Sequence, residues 1–151
     1  MTESGRFSFL RRWFAEPLRH GSCLLFRQLK RSGHSIWIYT SSGRTPFQIR
    51  FWLFLHGIHV DGVVNETRHK RALAERRFSR TPSKYPPAFG IDLHVDNSAG
   101  VREEGDQHGF RVLVVDPLDH QWTQRVLEAV GEGAVAAQGR QIDPVGFAST
   151  G

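Results

Sequence analysis

Pro82 to Asp116 reads PSKYPPAFGIDLHVDNSAGVREEGDQHGFRVLVVD, and the order of its pieces decides the fold class. A lysine in a proline-studded loop leads into an apolar run, Ile91 to Val95, that ends in an acid and an amide, Asp96 and Asn97. Ser98 to His108 then reads as a helix closed by Gly109, and Arg111 to Val115 as a second apolar run. Strand, helix and strand at this spacing predict parallel pairing with a right-handed crossover.

The same rhythm extends upstream. Ser35 to Tyr39 (SIWIY) is β-branched and aromatic and apolar on both faces, the signature of a strand covered on both sides. Thr45-Pro46 opens a helix that runs to about His56, and Val60 to Val64 is a short strand. Asn65 to Arg80 is strongly polar, with a basic helix expected around Ala72 to Arg77. Further upstream, Ser22 is placed to cap a helix with Leu24, Leu25, Phe26 and Leu29 on its inner side, stopped at Gly33. Phe7, Leu10 and Phe14 have helical spacing, while Arg6 to Leu10 also alternates like a short strand. Downstream, Asp119 is a cap for a last helix whose Trp122, Val126, Leu127 and Val130 share a face. The reading is a doubly wound α/β parallel sheet: a basic, helical N-terminal segment over 1–33, a core over 34–130 and a flexible tail over 131–151. In such sheets ligands bind outside the carboxyl ends of the strands, where Thr40 and Asp96 both fall.

Composition narrows the class. A chain of 151 residues is one domain and buries a core without staples. No apolar stretch approaches the roughly 20 residues that cross a bilayer, so no membrane is expected. Phe51 to Leu55 is densely apolar, but Arg50 and His56 bound it, which suits a buried helix. Arg11 and Arg12 break the apolar residues of the start, against a secretory signal, and a lone Cys23 fits a reducing compartment; cytoplasm is the expected location. The net charge of +5 is concentrated between Arg6 and Arg31 and between Arg68 and Lys84. Such clusters attract a phosphorylated substrate, nucleic acid or anionic lipid, although charge runs are usually solvated helix faces.

Three short segments resemble the motifs of the haloacid dehalogenase-like (HAD) superfamily of hydrolases, mostly phosphatases, across roughly Leu18 to Val130. IYTS, Ile38 to Ser41, is similar to the motif whose hydroxyl binds the transferred phosphoryl group, which gives Thr40 and Ser41 a phosphate-binding role. Lys84 is similar to the family's phosphate-neutralising lysine. HVDNSAGV, His94 to Val101, is similar to the magnesium motif, with Asp96 as ligand and Asn97 where a second acid often stands. The resemblance implies a Rossmannoid HAD-like domain, Mg2+ as cofactor, a phosphate monoester as substrate, and Thr40 and Lys84 as catalytic groups. Between Val64 and Lys84 there are too few residues for a large cap domain.

The family's nucleophile has no counterpart. Its DxD pair ends the first, central strand, whereas Met1 to Gly33 holds only Glu3 and Glu16 as acids. The covalent step therefore lacks an evident nucleophile. The expectation is a phosphatase domain truncated at its N-terminus and inactive as this chain; the alternatives are a non-catalytic HAD-like binding module and a basic nucleic-acid-binding domain. At the centre of the sheet, either Arg6 to Leu10 substitutes as a poor strand or the strands ending at Thr40 and Asp96 pair directly.

Overall fold

The computed structural model describes residues 5–10 and 21–131. Five strands form one all-parallel sheet: β1 (Arg6–Leu10), β2 (Ser35–Tyr39), β3 (Gly62–Val64), β4 (Leu93–Asp96) and β5 (Val112–Val114), in the order β3-β2-β1-β4-β5. Helices α1 (Ser22–Arg31), α2 (Pro46–Leu55), α3 (Glu66–Leu73), α4 (Ala99–His108) and α5 (122–131) join or follow them. The expected α/β parallel sheet is there, with Rossmann-like winding.

Arg6–Leu10 is the central strand, which corrects the helical reading of the N-terminal segment at these residues. Phe7 pairs with Ile36 and Leu93, and Phe9 with Ile38 and Val95. Phe7 and Phe9 are buried on one face, while Ser8 turns to the other. A two-residue period served on both sides by ladder hydrogen bonds outweighs a helical spacing that a short segment could not stabilise by itself. Of the two arrangements considered for the sheet's centre, the substitute strand is the one found. Phe14, Glu3, Glu16 and the 132–151 part of the tail lie outside the described residues.

One face of the sheet is apolar. Phe7, Phe9, Ile36, Ile38, Val63, Leu93 and Val95 meet Leu25, Phe26 and Leu29 of α1, Ile49 and Leu53 of α2, and Trp122 and Val126 of α5. The second face holds Tyr39, Val64 and Ile91 under the 3-10 turn Pro86–Phe89, and its centre is polar: Ser8, His94, Asp96 and Lys84 are all buried.

Several local expectations change. The helix of the polar stretch starts at Glu66 rather than near Ala72, because Asn65 caps it by accepting from Arg68 N at 2.9 Å and Glu66 pairs with Lys70 one turn on. Gly21, with a left-handed φ of 87°, occupies the cap of α1, which places Ser22 in the buried first turn and turns Leu24 to solvent. Helix α2 begins as expected at Thr45-Pro46, with a reciprocal capping box between Thr45 and Gln48. It is not a buried helix, however: Phe51, Phe54 and Leu55 are exposed, because only one stripe of α2 reaches the sheet. Among the described residues no helix is long and apolar enough to cross a membrane.

Candidate functional site

The chain runs from β1 outward to β2 and β3, then returns to place β4 on the other side of β1. This reversal makes a topological switch point, and the crevice of such a sheet opens at the carboxyl ends of the strands beside it. Thr40 directly follows β2 and Asp96 ends β4, so the two flank the end of β1, roughly two strand spacings or about 9.6 Å apart.

Lys84 reaches this edge from the segment between α3 and β4. Its Nζ stands 3.5 Å from Asp96 Oδ2, with both side chains almost fully buried, and 5.7 Å from the centre of the Tyr39 ring. Burial pushes the Lys84 pKa down, and the Asp96 charge partly offsets the effect. Among the described residues Asp96 is the one carboxylate within ion-pair distance of this lysine, with the Glu104 charge acting on it more weakly.

Asp96 is held from four directions. Asn97 N and Ser98 N donate to Oδ1 at 2.7 and 3.1 Å; His94 Nε2 stands 2.8 Å from Oδ2, and Lys84 approaches the same oxygen. Burial alone would raise the Asp96 pKa, but the His94 hydrogen bond and the Lys84 charge outweigh it and leave the carboxyl below its ordinary range. An ionised carboxylate only accepts, so His94 carries its proton on Nε2 and its Nδ1 accepts from the Ser8 hydroxyl at 2.7 Å. Burial holds His94 neutral against the opposing pull of Asp96. The result is a buried chain of contacts: Ser8, His94, Asp96, Lys84.

A second relay flanks it. Tyr85 N donates to the Tyr39 hydroxyl at 3.0 Å, and that hydroxyl forms a short hydrogen bond with His69 Nδ1. Burial raises the Tyr39 pKa and lowers that of His69, so both stay neutral. His69 is thus half-buried in the second face.

Of the remaining sequence candidates, Thr40, Ser41 and Asn97 separate, and two further acids, Asp116 and Asp92, lie apart from the site. Thr40 is buried; its Oγ1 accepts from Ser42 N at 3.1 Å in a local turn, and its backbone N–H donates to Val64 O. Ser41 is exposed, Asn97 is half-buried, and Asp116 is exposed in a turn, accepting from Leu118 N. Asp92 sits near the opposite end of the sheet, where it accepts from Arg6 N at 2.9 Å.

The magnesium that the resemblance brings with it does not fit these residues. Both oxygens of Asp96 already face two donors each, and the buried ammonium of Lys84 stands where a cation would approach. Magnesium binding needs near-octahedral oxygen ligation, and among the described residues no group of three His, Cys, Asp or Glu side chains is placed to hold a metal.

Ser8, Tyr39 and His69 are the members of the site that the sequence did not disclose. Ser8 had one signal, a small polar residue between two phenylalanines on an alternating stretch, but its partner depends on register with a strand 86 residues away. No protein-family model, no curated protein and no solved structure significantly matches the chain.

Proposed function

We propose that the chain is a HAD-like domain that holds the phosphate group of a phosphorylated ligand at the carboxyl edge of its sheet. The family's DxD nucleophile pair has no counterpart between Met1 and Gly33, so this reading is of phosphate binding and includes no phosphoryl transfer. The observation that carries this reading is the buried Lys84 ammonium at the switch point, with one carboxylate 3.5 Å away and the Thr40 hydroxyl across the end of β1. A buried ammonium has three donors; the Asp96 carboxylate at 3.5 Å takes one, and a ring face leaves the others free for an anion's oxygens. Lys84 supplies charge, and Thr40, whose oxygen is already fixed by Ser42 N, supplies a directed hydroxyl proton. Asp96 holds the lysine in place, so the reading includes no magnesium step.

A nucleic-acid reading draws less support. Arg6 and Arg68 from the basic clusters are engaged within the fold, donating to Phe89 O and Val63 O and flanking the Trp37 ring. Arg76 lies over Tyr85.

The test is thermal unfolding and calorimetric titration with inorganic phosphate, vanadate and tungstate, on the wild type, Lys84→Met and Thr40→Val. Stabilisation that grows with the logarithm of oxyanion concentration and is lost in Lys84→Met is the expected result. No response to any of the three oxyanions, or an equal response in Lys84→Met, overturns the reading.

A further inference from the structure

Helix α2 carries more apolar surface than the fold uses. Ile49 and Leu53 are its buried residues, whereas Phe47, Phe51, Phe54 and Leu55 are 75, 53, 70 and 65% exposed. Their spacing of four, three and one residues places them on one stripe of the helix. The Phe47 and Phe51 rings stack at 6.1 Å with their planes 14° apart. With Phe54, Arg50, His59 and Val60 they line an open groove of about 270 Å³.

We propose that this stripe binds the same stripe of a second copy of the chain, in an isologous pair about a two-fold axis. Three phenylalanines and a leucine exposed to this degree present on the order of 500 Å² of apolar surface per copy. Across a pair this is about 1,000 Å², where specific interfaces begin, and about 500 Å² on one copy is a contiguous patch of the size that is often functional on a monomer. Projecting rings and a groove occur on the same stripe, as an interface that meets itself requires.

Charge favours a protein surface over a lipid one. Arg50 is the helix's only cation, and its guanidinium donates to Asp61 O at 3.2 Å within the chain. Helices that lie on membranes instead carry a basic polar face, which α2 lacks because its opposite side is packed on the core. The stripe uses none of Thr40, Lys84 and Asp96, so the inference is independent of the phosphate reading.

Sedimentation equilibrium of the full chain, wild type and Phe51→Glu, over about 1 to 100 μM tests it, with thermal unfolding as a control on the fold. The expected result is a wild-type dimer whose dissociation midpoint rises about tenfold or more in Phe51→Glu, since a carboxylate enters an apolar contact. A wild type that is monomeric throughout, or a dimer that Phe51→Glu leaves unchanged, overturns the proposal. A monomer that Phe51→Glu destabilises assigns the stripe to another segment of its own chain. A monomer that floats with phosphatidylcholine vesicles, and does not as Phe51→Glu, assigns it to a lipid surface; both outcomes count against the second copy.

Discussion

The Ser8 hydroxyl lies 2.7 Å from Nδ1 of His94, between the two strands at the centre of the sheet, with both side chains fully buried. Because Nε2 faces the Asp96 carboxylate, this contact fixes one tautomer of a neutral imidazole and, through it, the carboxylate beneath Lys84.

Replacing Ser8 with Ala keeps the strand and removes the hydroxyl that donates to His94 Nδ1. A buried acceptor left unsatisfied costs about 1–3 kcal/mol. Urea denaturation should show that loss; a change within about 0.5 kcal/mol, the usual range of surface substitutions, would mean that the hydroxyl does not support His94.

Acid should destabilise the protein before its carboxylates titrate. Burial holds His94 below its ordinary pKa, so the folded state binds fewer protons than the unfolded chain. That stability is fully present above the unfolded histidine value of about 6.5 and falls as pH drops below it. His34 and His69 are lowered in the same sense by burial and share the slope. Urea denaturation from pH 7 to 5 should give a shallower slope for His94→Asn by up to about 1.4 kcal/mol per pH unit. Parallel profiles would show that His94 is not held neutral. The lowered pKa of Asp96 adds a separate step at lower pH, lost as pH falls through its folded value.

The Lys84–Asp96 pair should respond unequally to loss of either partner. Asp96→Asn leaves a buried ammonium without its counter-charge, a loss of roughly 3–5 kcal/mol. Lys84→Met leaves a carboxylate that still accepts from Asn97 N, Ser98 N and His94, so its cost should be smaller. Equilibrium unfolding of both variants checks the order, and the reverse order would contradict the account of Asp96 as the better-supported partner.

Gly105→Ala should destabilise, although helix propensity alone favours alanine by about 1 kcal/mol. A Cβ at this position of α4 would sit 2.5 Å from Phe110 O, a backbone atom held by the turn into β5, and 3.0 Å from Val112. A higher unfolding temperature for Gly105→Ala would show that this turn yields.

Magnesium at about 1 mM should change stability by less than about 0.4 kcal/mol, the effect of a site half-filled at that concentration. A larger shift, abolished in Asp96→Asn, would show that the cation displaces Lys84.

The α/β class, the strands at Ser35–Tyr39 and near Ile91–Val95, the Thr45-Pro46 helix start and the α4 stop at Gly109 were legible because each rests on local chemistry. Alternation, proline at a first helical position and glycine with positive φ act within a few residues, so a single sequence displays them. Thr40 and Asp96 were assigned to one sheet edge on the same grounds, since parallel strands carry their carboxyl ends to one side.

What tertiary structure decided was pairing and exposure. Arg6–Leu10 satisfies two periodicities on paper, and the ladders to β2 and β4 select the strand. The contact between Ser8 and His94 exists only once register is set, and a one-residue slip would turn Ser8 to the opposite face. The aromatic residues of α2 look like core in composition, but a helix packed on one side of an outer strand buries one stripe and leaves the other to solvent. Local propensity sets which elements form; which side chains meet depends on strand order and register, properties of the whole chain.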